Sequence, residues 1–545
     1  MHRLGRGADD SLSATSSVLR RVFRQGSSRR IVAAASAALC AAVLGLAPSP
    51  PATAAASHRG LHWGTCPWAL YPDLRNGPEH CTRIRVPLNY AHPGGRHVTL
   101  AVSILRHTSS AANYRGVIFV NPGGPGSPGL DLPMELEPFV PHGIGGRYDW
   151  VGWDPRGVGA STPTMRCQSN YFKGPRRSYT PSTKSLRHYW LTRTKRYAAA
   201  CARKYPALID HITTADSARD MESIRKALGV TKISFYGFSY GTYLGQVYST
   251  LFPTHLRYMV LDSTVDPRRV WYGANLDQDK AFDRNAQIYF KWVAQYDDVF
   301  HLGKTQKAVS ARYYDDLARL ARSPKGELGP AEFADAMTGA AYYRFGWVDL
   351  AQAWHALDVG HKAGPMKRQY VDLDLPGDDN GFAVYSAVQC SDAHWPHSWA
   401  RWQKDNKAYA AKYPFLTWNN AWYNAPCAFW KGKSHTPVKI RGHRTKSVLL
   451  IDETLDAATP YEGSLEVRRL YPHSSLIAEP GGTTHADSLS GDRCVDNKIA
   501  AYLKDGTRPQ RRAWDGPDAI CKPLPAPRPH ATRANLRQSD HLRRA

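Results

Sequence analysis

The chain has no apolar run long enough to cross a bilayer. Its longest, Ile31 to Ala47, falls short of the roughly 20 residues a spanning helix needs, which excludes stable membrane insertion. No Cys-x-x-Cys pair stands among the nine cysteines, so the common thiolate metal frameworks and dithiol redox motifs are absent. His58 and His62 have a helical metal-ligand spacing but flank Gly60 near a ragged start. No metal and no cofactor is expected. No internal repeat is visible, which removes solenoids and propellers. Acidic residues are scarce beside basic ones, 46 against 71, for a formal net charge of +25. Residues 1–54 hold seven arginines and two aspartates, and residues 522–545 hold six basic residues and one aspartate. The rest remains basic, yet its Lys and Arg are scattered rather than striped with aromatics. A nucleic-acid partner is therefore not expected, and the sequence leaves the oligomeric state open.

What is present begins at the N-terminus. Arg20, Arg21, Arg24, Arg29 and Arg30 precede the Ile31–Ala47 run, and Pro48-Ser49-Pro50-Pro51 and an alanine-rich stretch follow. Basic region, apolar core and small-residue cleavage site read as a signal peptide over residues 1–54. The mature protein is then secreted and extracellular. Cys40 belongs to the signal. Eight cysteines remain: Cys66, Cys81, Cys167, Cys201, Cys390, Cys427, Cys494 and Cys521. An even number in an exported chain favours disulfides. Sequential pairing closes the shortest loops and is the connectivity expected.

Short apolar runs occur at Gly116–Val120, Tyr148–Trp153, Ile233–Tyr236, Met259–Leu261 and Ser447–Ile451. Runs without strict alternation suit parallel strands buried on both faces. Ala218, Met221, Ile224 and Leu228 recur at helical spacing, and Gly229 ends that helix. Strand–helix–strand order predicts an α/β fold with a doubly wound, mostly parallel sheet and ligands at the carboxyl ends of its strands. From Val265 to Gly442 the pattern turns helical and aromatic, with Trp271, Tyr342, Tyr343, Trp347, Trp395, Trp399, Trp402, Trp418 and Trp422. The expected organisation is a core over residues 55–264, a helical cap insertion over 265–442, a second core segment over 443–521, and a disordered basic tail over 522–545. Most of the aromatics are expected in the core of the cap.

Tyr236-Gly237-Phe238-Ser239-Tyr240-Gly241 follows a β-prone run. Gly-x-Ser-x-Gly between strand and helix is the setting of a nucleophile elbow, where the serine sits on a strained turn with its hydroxyl exposed. In this architecture the acid and then the histidine follow the serine in the chain. Asp456 lies on the loop after Ser447–Ile451, in competition with Asp262, Asp266, Asp452 and Asp487. His485 lies in Gly481-Gly482-Thr483-Thr484-His485, after the late strand Leu476-Ile477-Ala478. A serine hydroxyl attacks only when a base takes its proton and a carboxylate orients the base. The oxyanion needs preorganised donors. The amide of Tyr240 is one candidate. Gly124 in Asn121-Pro122-Gly123-Gly124-Pro125 is the other, because proline offers no N–H.

Several ordered elements carry a family resemblance: Asn121-Pro122-Gly123-Gly124-Pro125-Gly126-Ser127, Trp153-Asp154-Pro155-Arg156-Gly157-Val158-Gly159, Thr213-Thr214-Ala215-Asp216, the serine turn, Val260-Leu261-Asp262, Leu455-Asp456-Ala457-Ala458-Thr459-Pro460 and the His485 loop. Together they resemble the secreted bacterial tripeptidyl aminopeptidases, α/β-hydrolase serine peptidases related to prolyl aminopeptidase. Ala486 and Ser263 stand where that family often has glycine. The resemblance implies Ser239 as nucleophile, Asp456 as orienting acid and His485 as base. It implies a secreted exopeptidase releasing short peptides, tripeptides above all, from free N-termini through an acyl-enzyme. An esterase or amidase on the same scaffold is the alternative. An aminopeptidase must also bind the substrate's α-ammonium, and Glu135, Glu137 and Asp392 are candidates for that carboxylate.

Overall fold

The structure is a computed structural model that describes residues 60–529, except 68, 76 and 374–376. The expected signal peptide lies outside the described residues. Nine strands form one sheet: β1 (His80–Pro87), β2 (His97–Leu105), β3 (Val117–Asn121), β4 (Asp149–Asp154), β5 (Ile233–Phe238), β6 (Leu256–Asp262), β7 (Val448–Glu453), β8 (Ser474–Glu479) and β9 (Ala519–Ile520). Their order is β1-β2-β4-β3-β5-β6-β7-β8-β9. β1 pairs β2 and β2 pairs β4 antiparallel, and every other pairing is parallel. Every residue of β3, β4, β5, β7 and β8 is buried, as parallel strands covered on both faces must be. β1 and β2 had no expectation from the sequence. β1 alternates exposed and buried positions, with Arg83 and Arg85 outward, because it is an antiparallel edge strand.

The helix Thr214–Ala227 carries the predicted apolar spacing into the core, and the Thr213 hydroxyl caps it by accepting from the Asp216 amide. Between β6 and β7 the chain forms a largely helical layer. Its helices include Tyr272–Gln295, Gln306–Arg322, Pro330–Tyr342, Trp347–Asp358, Asn380–Asp392 and Thr417–Asn424. The first four share a core in which Tyr289, Trp292, Trp347 and Trp354 are buried. Phe382, Val388 and Trp402 instead join the main core beneath the sheet helices.

Two segments depart from the expected division. The loop and helix between β4 and Thr213, assigned by sequence to the first core segment, also build the helical layer. Trp190 on the helix Lys184–Lys204 packs with Ala331, Trp422 and Ala425. The expected tail is not loose where it is described. Arg344 donates to the Leu524 carbonyl at 3.0 Å, Trp292 donates to the Pro527 carbonyl at 3.1 Å, and Ala526 packs on the helical layer. Prolines at 523, 525 and 527 offer no N–H, so this stretch runs extended and gives its carbonyls to the layer. Residues 530–545 lie outside the described residues.

Four disulfides join Cys66–Cys81, Cys167–Cys201, Cys390–Cys427 and Cys494–Cys521. Among the described residues no helix is long and apolar enough to cross a membrane, and no cluster of His, Cys, Asp or Glu could hold a metal ion.

Candidate active site

Ser239 sits between β5 and the helix Tyr240–Leu251, with φ 55° and ψ −126°. A non-glycine residue at positive φ is costly and persists only where its surroundings impose it. Here the Ser239 amide donates to the Asp262 carbonyl of β6 at 3.0 Å, and the Ser239 carbonyl accepts from the Thr242 amide at 2.8 Å. A Cβ on Gly237 would lie 2.6 Å from the Gly241 carbonyl oxygen, so the turn closes only without one. The elbow expected at this motif is the conformation found.

The loop after β3 closes on the serine. A Cβ on Gly123 would come within 2.6 Å of the Phe238 carbonyl oxygen and 3.0 Å of the Ser239 Cβ. Gly124, Ser239 and Tyr240 line one cavity of about 810 Å³ under the helical layer. That size suits a peptide-sized ligand. The Tyr240 amide is the first of its helix, where N–H groups have no partner within the helix. Among the described residues neither it nor the Gly124 amide has a hydrogen-bond acceptor.

Asp456 and His485 meet as their loops leave β7 and β8. His485 Nδ1 lies 2.7 Å from Asp456 Oδ2. The other Asp456 oxygen accepts from the Ala458 and Thr459 amides at 2.8 and 3.1 Å, and the Thr459 hydroxyl donates to Oδ2 at 2.9 Å. Both side chains are buried, Asp456 fully and His485 with 5% exposed. Burial alone would raise the Asp456 carboxyl, but the charge and hydrogen bond of His485 and the Thr459 donor outweigh it and hold it below the usual carboxylate range. Among the described residues the Ser239 hydroxyl has no hydrogen-bond partner.

The competing acids have other work. Asp262 accepts from the Ser488 amide at 3.0 Å and its hydroxyl at 2.5 Å, which fixes the far side of the histidine loop. Asp452 accepts from the Ser464 hydroxyl at 2.6 Å. Asp266 pairs with Arg268 at 2.7 Å. Asp487 is buried beside the same loop.

The helical layer holds both loops, through residues that sequence reasoning missed. Arg284 donates to the Leu455 and Asp456 carbonyls at 2.6 and 3.2 Å. Asn285 donates to the Leu455 carbonyl at 2.8 Å and the Ala341 carbonyl at 3.2 Å. The Tyr342 carbonyl accepts from the His485 amide at 2.9 Å, and its ring meets the imidazole edge-on at 5.7 Å between centroids. Nothing in the sequence near these residues marks them, because their partners lie from 56 to 172 positions away.

The three candidates for an ammonium-binding carboxylate are not in the cavity. Asp392 accepts from the Thr214 amide at 2.8 Å, the Thr214 hydroxyl at 2.5 Å and the Trp271 indole at 3.4 Å, as a buried support. Glu135 and Glu137 do not line the cavity either, whereas Asp266, Asp277, Asp335, Asp378 and Glu462 do. The sequence reading already weighs Asp392 mainly as a structural acid, and its bonds to Thr214 and Trp271 agree with that.

Buried carboxylates surround the histidine loop and make stability depend on pH. Glu453 accepts from the Thr484 amide, and Asp496 accepts from the Leu489 and Gly491 amides at 2.8 and 3.1 Å. Burial raises Asp262, Glu453 and Asp487 above the usual range and pushes Asp496 up to about 7. Burial also lifts Asp279, in the helical layer, to about 8. A carboxyl raised in the folded state binds a proton that the unfolded chain has released. Its stabilising contribution is full below the unfolded value, roughly pH 4, and is lost as pH rises through the folded value. Asp456 has the opposite sign, and its contribution is lost as pH falls through its lowered value. The raised groups are in the majority here. The thermal midpoint is therefore expected to be highest in mildly acidic solution and to fall between about pH 5 and 8. Scanning fluorimetry across that range checks this, and a midpoint that held or rose toward pH 8 would contradict it.

A family model described as an alpha/beta hydrolase fold matches residues 116–348, and one described as TAP-like protein matches residues 413–518. The chain is 37% identical over 491 residues to a tripeptidyl aminopeptidase of Streptomyces coelicolor, covering 88% of this chain and 89% of that protein. It is 30% identical over 466 residues to a carboxylesterase B of Mycobacterium tuberculosis, covering 82% and 88%. To the serine protease Hip1 of the same organism it is 28% identical over 461 residues, covering 79% and 86%. Among solved structures, a proline iminopeptidase of Mycobacterium smegmatis superposes over 78% of this chain and 98% of its own, at 14% identity and a TM-score of 0.34.

Proposed function

Since this chain belongs to the tripeptidyl aminopeptidase family of α/β-hydrolases and is a serine hydrolase, we propose that it releases tripeptides from free N-termini through an acyl-enzyme on Ser239. The observation that carries this reading is the His485–Asp456 hydrogen bond of 2.7 Å together with the cavity that Ser239 lines. Asp456 accepts the Nδ1 proton of His485 and so fixes the tautomer that leaves Nε2 free as a base. His485 takes the Ser239 proton as the oxygen attacks the scissile carbonyl. The Gly124 and Tyr240 amides receive the developing oxyanion. His485 then returns the proton to the leaving amine. Water attacks the acyl-enzyme by the same route and frees the peptide.

Four disulfides support an oxidising compartment, and with the basic and apolar N-terminus they support secretion after removal of residues 1–54. The esterase reading rests on the same triad and on the carboxylesterase B relative. Substrates separate the two. Tripeptide 4-nitroanilides with free N-termini are expected to be cleaved at least tenfold better than their N-acetyl counterparts, since acetylation removes the charge through which an aminopeptidase holds its substrate's N-terminus. Equal turnover of acetylated peptides, or of simple 4-nitrophenyl esters, would reject the aminopeptidase reading in favour of the esterase.

A further inference from the structure

The helix Pro330–Tyr342 presents one stripe to the cavity. Asp335, Thr338, Gly339 and Tyr342 all line it, at the i, i+3, i+4 and i+7 spacing of a single helix face. Tyr342 marks the catalytic end, since its carbonyl accepts from the His485 amide. Asp335 lies seven residues earlier. At a rise of 1.5 Å per residue that is about 10 Å along the helix. An extended peptide covers about 3.3 Å per residue, so three residues reach from one end of the stripe to the other.

The charges along this axis are unequal. Asp335 is 8% exposed and shares Arg176 with the fully buried Glu332. Arg176 donates to Glu332 at 2.7 Å and also to Asp335. Tyr179 donates to Asp335 at 2.8 Å and Asn419 donates to it at 2.9 Å. Two carboxylates therefore face one guanidinium, and the wall carries an excess negative charge at the distal end. The other lining aspartates have arginines of their own: Asp378 with Arg166, Asp277 with Arg269 and Asp266 with Arg268. At the catalytic end stands Arg284, which bonds two carbonyls and, among the described residues, has no carboxylate within 4 Å. Glu462, also on the lining, acts on Arg284 from beyond ion-pair distance and offsets its charge there, so the end where Asp335 and Glu332 share one guanidinium is the one that favours an ammonium. Independently, Gln389 lines the same cavity, is 4% exposed, and has a carboxamide oxygen without a hydrogen-bond partner. A buried amide left unpaired in this way calls for a partner from a ligand such as a peptide backbone N–H.

We propose that Asp335 receives the substrate's α-ammonium, and that the two helical turns from Asp335 to Tyr342 set the released peptide at three residues. This rests on the aminopeptidase reading above. The test uses di-, tri- and tetra-alanyl 4-nitroanilides, each free and N-acetylated. In the wild-type protein the free tri-alanyl substrate is expected to lead. Asp335→Asn keeps the shape and removes the charge. It is expected to lower the free-to-acetyl ratio of kcat/KM by about 100-fold and to flatten the length preference. Thr338→Lys sets a competing ammonium one turn from Asp335, on a partly exposed position, and should lower the same ratio. If the Asp335 variant fails to fold, the Thr338 variant decides. Should the wild type prefer free N-termini while a folded variant keeps that ratio and the length preference, the Asp335 assignment is overturned and the aminopeptidase reading stands. Should the wild type itself show no such preference, the parent reading fails instead.

Discussion

Replacing Ser239 by alanine is expected to lower peptide hydrolysis by at least about 10⁴-fold, with the protein still folded. That corresponds to more than about 5 kcal/mol of transition-state stabilisation. The loss is chemical, because alanine offers no nucleophile while the oxyanion donors are untouched. The fold should survive. The strained backbone at position 239 is held by main-chain bonds to Asp262 and Thr242, and among the described residues the lost hydroxyl bonds nothing. A serine-directed phosphonate should label the wild-type protein and not the variant. Undiminished labelling of Ser239→Ala would place the nucleophile elsewhere.

Asp456→Asn is expected to reduce kcat by about 10³- to 10⁴-fold and to leave KM nearly unchanged. Asp456 accepts from two amides, one hydroxyl and His485. Asparagine must turn an NH₂ toward one of these donors. If that donor is His485, the imidazole takes the wrong tautomer and Nε2 no longer accepts the serine proton. The control is Asp262→Asn. Asp262 binds the backbone and hydroxyl of Ser488 rather than the imidazole, so its loss should lower the melting temperature more than it lowers kcat per folded molecule. A fully folded, inactive Asp262→Asn protein beside an active Asp456→Asn protein would require the two roles to be exchanged.

How much of this was readable from the chain follows from the range of each interaction. The elbow is local: strand, Gly-x-Ser-x-Gly and helix occupy some twenty consecutive residues, and close approach of Gly237 to Gly241 is written in the residue types. The buried parallel strands β3 to β8 were visible because strands covered on both faces are continuous apolar runs. Chain order, the position of each loop after a late strand and the glycines before His485 put forward Asp456 and His485, and the structure brings these two side chains together at 2.7 Å. β1 stayed hidden because a strand with one wet face alternates with charged residues, here Arg83 and Arg85, and reads as a loop; β2 is nearly all buried and was simply not singled out. The helix Lys184–Lys204 joined the helical layer against expectation, since its partners Ala331 and Trp422 come from distant sequence. The extended stretch after Cys521 looked like tail, because proline-rich segments show in sequence only that they avoid helix and sheet, not where they dock.

By itself, then, the sequence determined the sheet core and the strained turn at Ser239, because backbone sterics and apolar periodicity act over a few residues. Only the tertiary structure decided which carboxylates face the cavity. Asp392 and Asp335 are both buried aspartates on helices of the same layer, and their surroundings part only when the helices pack. One is turned to the Thr214 amide. The other lines the cavity, held by Arg176, Tyr179 and Asn419, two helical turns from the residue whose carbonyl bonds the His485 amide. Side-chain direction at that range is set by how whole elements dock against each other, and no stretch of chain short enough to read in sequence contains that information.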